Sequence, residues 1–294
     1  MGLIRNLWRG YRGGPNFAFA QWQSFIIGDQ LLQLYLPATP FYTPEAPPPE
    51  CYPIDEAGWF ERHQEQFHQH HFVHLITEIW PFGYAIPIPF PGAVQEVGQL
   101  TFQARIKQVP EQAKMDAFDL ERLGQLEFLS REAHFWGEPV PKECADKKEW
   151  QGRNTKLKRE CQEDFHRYQS FYPSLEAYID ECISGCGYPA IHPEVREVAG
   201  RRFVFYIEGR GRNQYDRTYS LPLTRRYYLQ LRFRHDVMAC SKRIQQAALA
   251  AEQRILTEMT LGPMVADRAP SHGELGDQCS TMVDDSEATL VGGR

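Results

Sequence analysis

From Gln99 to Val109 apolar side chains recur at every second position, from Asp116 to Trp136 at every third or fourth, and from Arg201 to His235 at every second again. A period of two belongs to a strand with one buried face, and a period near 3.6 to a helix with one buried stripe. A chain that switches twice must therefore insert helices between strands of a sheet. Leu100, Phe102, Ala104 and Ile106 share one face of "QLTFQARIKQV"; Phe203, Phe205 and Ile207 share one of "RRFVFYIE"; and Tyr227, Leu229, Leu231 and Phe233 share one of "RRYYLQLRFRH". "QWQSFIIGDQLLQLYLP" reads as two strands turning at Gly28 and Asp29. In "AFDLERLGQLEFLSREAHFW" the positions Leu123, Leu126, Leu129 and Ala133 form a helical stripe. Further helices are expected over Lys142 to Gln169, with Trp150, Leu157, Cys161, Phe165 and Tyr168 as its stripe, and over "SLEAYIDECISG", capped by Ser174. A long helix from Asp236 to about Leu261 presents Ile244, Ala248, Ala251, Ile255 and Met259. The expected fold is α+β: a mostly antiparallel sheet with helices packed on one face, a central helical insertion at about 111–186 and a long C-terminal helix. Residues 1–262 read as a single body. Residues 263–294 have no period and few large apolar groups, which predicts a disordered tail.

Prolines punctuate this pattern. Those at 37, 40, 44, 47, 48, 49 and 53 forbid helix and remove ladder donors, so the segment between is expected as an extended surface loop. Asp55 is a candidate cap for a short helix through Phe67, followed by "HFVHLITEIW" and "GYAIPIPF" as paired strands, the second at a sheet edge. No apolar run reaches the length of a membrane span, and the first residues lack a signal peptide's apolar stretch. Seven cysteines at irregular spacing do not form a disulfide framework. A reducing cytoplasm, without membrane attachment, is the expected location. Net charge is −6, yet Arg196 to Arg243 holds twelve Arg and Lys against four acids, a local +8 that leaves −14 elsewhere.

Three chemistries can be weighed on the residues. His63, His68, His70, His71 and His74 suggest a metal-dependent enzyme only if the segment is helical, when His70, His74 and Glu78 would share a face. The β-branched and aromatic content of "FVHLITEIW" argues for a strand, on which positions four apart lie about 13 Å from each other and cannot grip one ion. No metal ligand and no cofactor is therefore assigned. There is no Gly-x-Ser-x-Gly elbow and no cysteine in a catalytic signature, so no catalytic residue is assigned either. The Arg196 to Arg243 region offers arginines with interleaved aromatics to nucleic acid, but the same ladder is expected to pair with acids on the charged helix at 142–169 of this chain. Gly209 and Gly211 in "EGRGRNQYDRTY" lie between strands and read as a hairpin turn, not a phosphate loop.

The segments "IWPFGYAIPIPFPG", "YIDECISGCG", "YIEGRGRNQYDRTY" and "YYLQLRFRH", followed by the helix ending "EQRILTEMTL", give the chain an arrangement that resembles immunity and accessory proteins encoded beside type VI secretion effectors in Proteobacteria. The resemblance implies a non-enzymatic protein that binds and neutralises a cognate secreted toxin domain. It carries no functional residues over by motif, because each inhibitor fits its own toxin. On physical grounds, stiff Tyr- and Pro-rich loops and exposed arginines make good anchors. The partner contacts expected here are Phe41, Tyr42 and Tyr52 in the proline loop, with Arg210, Arg212 and Arg217 as the charged set.

Overall fold

The computed structural model describes residues 2–38, 50–67, 70–86, 96–137, 152–210, 214–237 and 239–263. The elements in chain order are α1 (Gly2–Arg9), β1 (Tyr11–Gly13), β2 (Asn16–Ile27), β3 (Gln30–Ala38), β4 (Glu50–Tyr52), α2 (Trp59–His63), β5 (Glu65–Phe67), β6 (His70–Tyr84) and β7 (Glu96–Gln108). There follow α3 (Leu120–Trp136), α4 (Arg153–Tyr168), α5 (Leu175–Cys186), β8 (Glu194–Val198), β9 (Arg201–Arg210), β10 (Gln214–Pro222), β11 (Tyr227–Asp236), α6 (Lys242–Glu258) and β12 (Thr260–Pro263).

The fold is α+β, as the alternating periods require, but the strands divide into two sheets. The larger runs β1-β6-β7-β11-β10-β9-β8, with β5 beside β6, and every pairing in it is antiparallel. The smaller runs β12-β3-β2-β4. The Gly28 turn joins β2 to β3 as expected. Gly28 has φ +58, and a Cβ there would lie 2.9 Å from Asp55 Oδ2, so both conformation and space call for glycine.

One face of the large sheet supplies the apolar core. Phe102, Ala104, Ile106, Leu229, Leu231, Phe233, Phe203 and Phe205 meet Leu32, Leu34 and Leu36 of the small sheet and Ile244, Ala248, Ala251, Ile255 and Met259 of α6. All five seam positions expected of the last helix are buried. Trp80, 0% exposed, pins the two sheets together by donating its indole N–H to Pro37 O at 3.2 Å.

The opposite face of the large sheet is covered in part by the insertion. Here α3 sits differently from expectation. Its buried residues are Leu123, Gly124, Glu127, Arg131, His134 and Phe135, while Leu129 is 63% exposed and Ala133 faces solvent. The helix is rotated so that ionic side chains meet the sheet, because the sheet's second face offers polar partners that a leucine stripe could not satisfy. The helices therefore flank the sheet on both faces, α3 on one and α6 on the other.

Two further segments differ from expectation. The region around residue 80 is one continuous strand through Pro81, not two, and α2 is a single turn from Trp59. Cys51 is disulfide-bonded, whereas Cys161, Cys182, Cys186 and Cys240 are free thiols. The proline loop at 39–49, the Pro87–Pro91 run, the part of the charged helix before residue 152, and the tail beyond 263 lie outside the described residues. No described helix is long and apolar enough to cross a membrane.

Candidate functional site

The residues under α3 form a buried ionic cluster. On β7, β9 and β11, alternation turns Lys107, Tyr206, Tyr228 and Gln230 away from the apolar core and towards the helix. Glu127 of α3 meets all four. It accepts from Lys107 Nζ at 2.9 Å, Tyr206 OH at 2.9 Å, Tyr228 OH at 2.7 Å and Gln230 Nε2 at 3.1 Å. Burial opposes ionisation of Glu127, but the charges of Lys107 and Arg131 and the hydrogen bonds from Lys107 and Tyr228 override it and hold the carboxyl down to about 2.

One turn further, Arg131 lies 3.3 Å from Glu208, which also lies 3.7 Å from Arg232. Arg232 pairs closely with Asp216, and Asp216 holds Arg234 at 3.3 Å as well. His70 of β6 closes the end of the cluster. Its Nε2 accepts from Arg131 Nη1 at 3.3 Å, and its ring lies 4.8 Å from that of His134. Burial first, and then the charge of Arg131, keep the His70 imidazole neutral far below its ordinary range.

A second buried cluster ties α6 to the core face. Glu252 accepts from Arg217 Nε at 2.7 Å, from Tyr219 OH at 2.6 Å and from His235 Nε2 at 2.7 Å, and His235 stacks on Tyr215 at 4.7 Å. The acid comes from a helix and its donors from two neighbouring strands. These four side chains clamp the C-terminal helix.

These contacts reposition the residues expected to meet a partner. Arg217 is committed to Glu252, and Tyr52 is 8% exposed, edge-to-face with Trp59 and packed beside Phe25. Arg210 ends β9, cross-strand from Gln214. Phe41, Tyr42 and Arg212 lie outside the described residues. The wider arginine set is also paired: Arg226 with Glu111 at 2.9 Å, and Arg232 and Arg234 with Asp216. Such pairing leaves these side chains less charge for a polyanion.

The histidine segment is a strand, and a bulge between His74 and Ile76 breaks its alternation. His74 lies across from Arg105 on the polar face, but Glu78 lies across from Phe102 on the apolar face. The bulge thus turns the carboxylate away from the imidazole, in addition to the strand's spacing. His63 is separate, bonded to Trp59 O at 2.8 Å and stacked on that ring. Among the described residues no group of three or more His, Cys, Asp or Glu is arranged to hold a metal.

Burial among apolar neighbours raises Glu78 to about 7. A raised carboxyl binds its proton more tightly in the folded state, so its favourable contribution is complete below about pH 4.5 and is lost as pH rises through about 7. Glu78→Gln should accordingly raise stability at pH 8 by about 1–2 kcal/mol, after allowance for partial solvation, and change little at pH 4. Thermal melts at the two pH values check this.

A groove of about 450 Å³ runs between α3 and the β8–β9 edge, lined by Leu120, Gly124, Phe128, Pro193, Val195 and Val204, with Glu121 and Glu194 on its rim. Gly124 lets the helix approach: a Cβ there would lie 3.3 Å from Pro193 Cβ and 3.6 Å from Val204 Cγ1. β8 is the terminal strand of its sheet, bonded to β9 alone among the described strands, and its Val195 is 40% exposed. Leu129, elsewhere on α3, is exposed as well. Periodicity pointed to that leucine, but as a core residue.

No protein-family model, curated protein or solved structure matches the chain.

Proposed function

We propose that the chain is a non-enzymatic immunity protein that binds and neutralises a cognate secreted toxin domain in the cytoplasm. The observation that carries this reading is the apolar groove beside β8, which pairs with β9 alone among the described strands, on a body held by buried ion pairs. A free sheet edge binds an extended segment through main-chain hydrogen bonds, and a groove alongside selects its side chains. The occupant is an extended strand of the toxin domain that adds to β8, seats apolar side chains against Leu120, Phe128 and Val195, and sets a basic residue near Glu121. The buried ionic clusters serve the same role indirectly, because a rigid scaffold loses little entropy on binding. Four free thiols suit the cytoplasm, and the disulfide at Cys51 is the feature that opposes that location.

Co-expression tests the reading. The toxin-domain frame adjacent to this chain's gene should arrest growth of a bacterial host, and this chain should relieve the arrest and co-purify in a defined complex. Val195→Asp places a charge on the groove wall and should weaken that complex about tenfold or more while melting like the parent. Arrest that persists despite abundant folded chain would remove the proposal; full affinity in the Val195→Asp variant would remove the groove as its site.

A further inference from the structure

Helices α4 and α5 form an antiparallel hairpin whose facing residues can be followed rung by rung. At one end Asn154 donates through Nδ2 to Tyr188 O at 2.8 Å and accepts from Tyr188 N at 2.9 Å, and a Cβ on Gly187 would lie 3.0 Å from Leu157 Cδ1. At the other end the rings of Phe165 and Tyr168 lie 6.1 and 5.1 Å from that of Tyr178. Cys161 is one turn inward from Phe165 on α4, and Cys182 is one turn inward from Tyr178 on α5. Residues four apart share a helix face, so the rungs on either side bring these two cysteines opposite each other. They meet in one apolar cluster with Ile179 and Ile183, against which Trp136 packs from the end of α3. Both are free thiols, Cys161 3% exposed and Cys182 half-buried, and they are hydrogen-bonded to each other.

Among the described residues no third ligand joins the pair in an arrangement that could hold a metal. Two thiols in contact share another chemistry, the two-electron oxidation to a disulfide. Their surroundings set the order of events. Burial first, and then the hydrogen bond with Cys182, pushes the Cys161 thiol up to about 12, so Cys161 is a poor nucleophile towards an oxidant from solvent. Cys182 is the more exposed of the two and meets the oxidant first.

We infer that Cys161 and Cys182 form a reversible oxidation site for hydrogen peroxide. The Cys182 sulfur attacks one peroxide oxygen and the O–O bond breaks. The thiol proton leaves with the departing oxygen as water, and Cys182 becomes a sulfenic acid. The Cys161 sulfur then displaces hydroxide from it, the S–S bond forms, and the Cys161 proton completes a second water. The two sulfurs give up two electrons and the peroxide takes both. The new bond closes a loop of about twenty residues and staples the hairpin. The site goes beyond toxin binding and does not rest on it, since neither cysteine lines the β8 groove.

Peptide mapping of the full chain tests the site. The protein, its free thiols reduced, is treated with hydrogen peroxide and digested without reductant. A peptide joining Cys161 to Cys182, lighter by two hydrogens than its separate parts, is expected as the main new linked product, and a thiol reductant should remove it. In Cys161→Ala, dimedone should trap a sulfenic acid on Cys182. Cys186→Ser, which removes the exposed thiol one turn away, should form the bond like the parent. Amide hydrogens of α4 and α5 should exchange about tenfold or more slowly in the oxidised chain. The inference is overturned if the folded chain gives no such peptide, if the main product joins Cys182 to Cys186 or links two molecules, or if dimedone marks Cys186 alone. Formation of the bond no faster than in urea-unfolded chain would remove the claim that the fold prepares the pair, and unchanged exchange in fully linked chain would remove the staple.

Discussion

Glu127→Ala is expected to lower stability by about 3–5 kcal/mol, read as a large fall in the urea midpoint, because it strands Lys107 beneath α3 and removes the acceptor of Tyr206, Tyr228 and Gln230. The loss comes less from attraction forfeited than from a buried ammonium left without a counter-charge. Replacing both ends with apolar groups, Lys107→Met with Glu127→Leu, should therefore restore much of it. A double variant as unstable as Glu127→Ala would show that shape, not charge, holds the helix. The depressed Glu127 carboxyl also fixes a pH window: its contribution is present above about pH 4.5 and is lost as pH falls towards about 2. That window lies on the acid side of the one set by Glu78, and the slope has the opposite sign.

Trp80→Ala should cost a similar amount, about 3–5 kcal/mol, since it empties a fully buried indole volume and orphans the carbonyl of Pro37. Its location gives the measurement a second reading. Trp80 is one of several contacts between the large sheet and β3, whose Leu32, Leu34 and Leu36 share its core, so cooperative unfolding of both sheets should persist at the lower midpoint. A biphasic transition in this variant would mean that the sheets are independent bodies.

Much of this architecture was readable from the chain. Strands with one apolar face announced themselves, as did the α6 seam and the Gly28 turn. Periodicity misled where both faces of a sheet are covered. Alternation in "RRYYLQLRFRH" marks Tyr228, Gln230 and Arg232 as the polar side, but it cannot distinguish solvent from a helix carrying Glu127 and Arg131. The same ambiguity turned α3: its leucines formed the apparent stripe, and its acid and arginine occupied the buried one. Arg217 looked available because its partner, Glu252, is 35 residues away and on another element. The bulge after His74 left no sequence signal, since no glycine marks it. The division into two sheets was hidden too, because a strand's apolar face does not name the sheet it joins.

The insertion of α3, α4 and α5 between β7 and β8 has a kinetic consequence. The meander β8–β11 is local, but its junction with β7 brings together Gln108 and Tyr227, 119 residues apart. Closing so long a loop is slow, and here the same event expels water from Lys107 and its acceptor. Refolding should therefore be limited by one late closure in which dehydration of ions and chain entropy are met together, and the rate of that closure sets how long the newly made chain presents an unfinished edge to its neighbours.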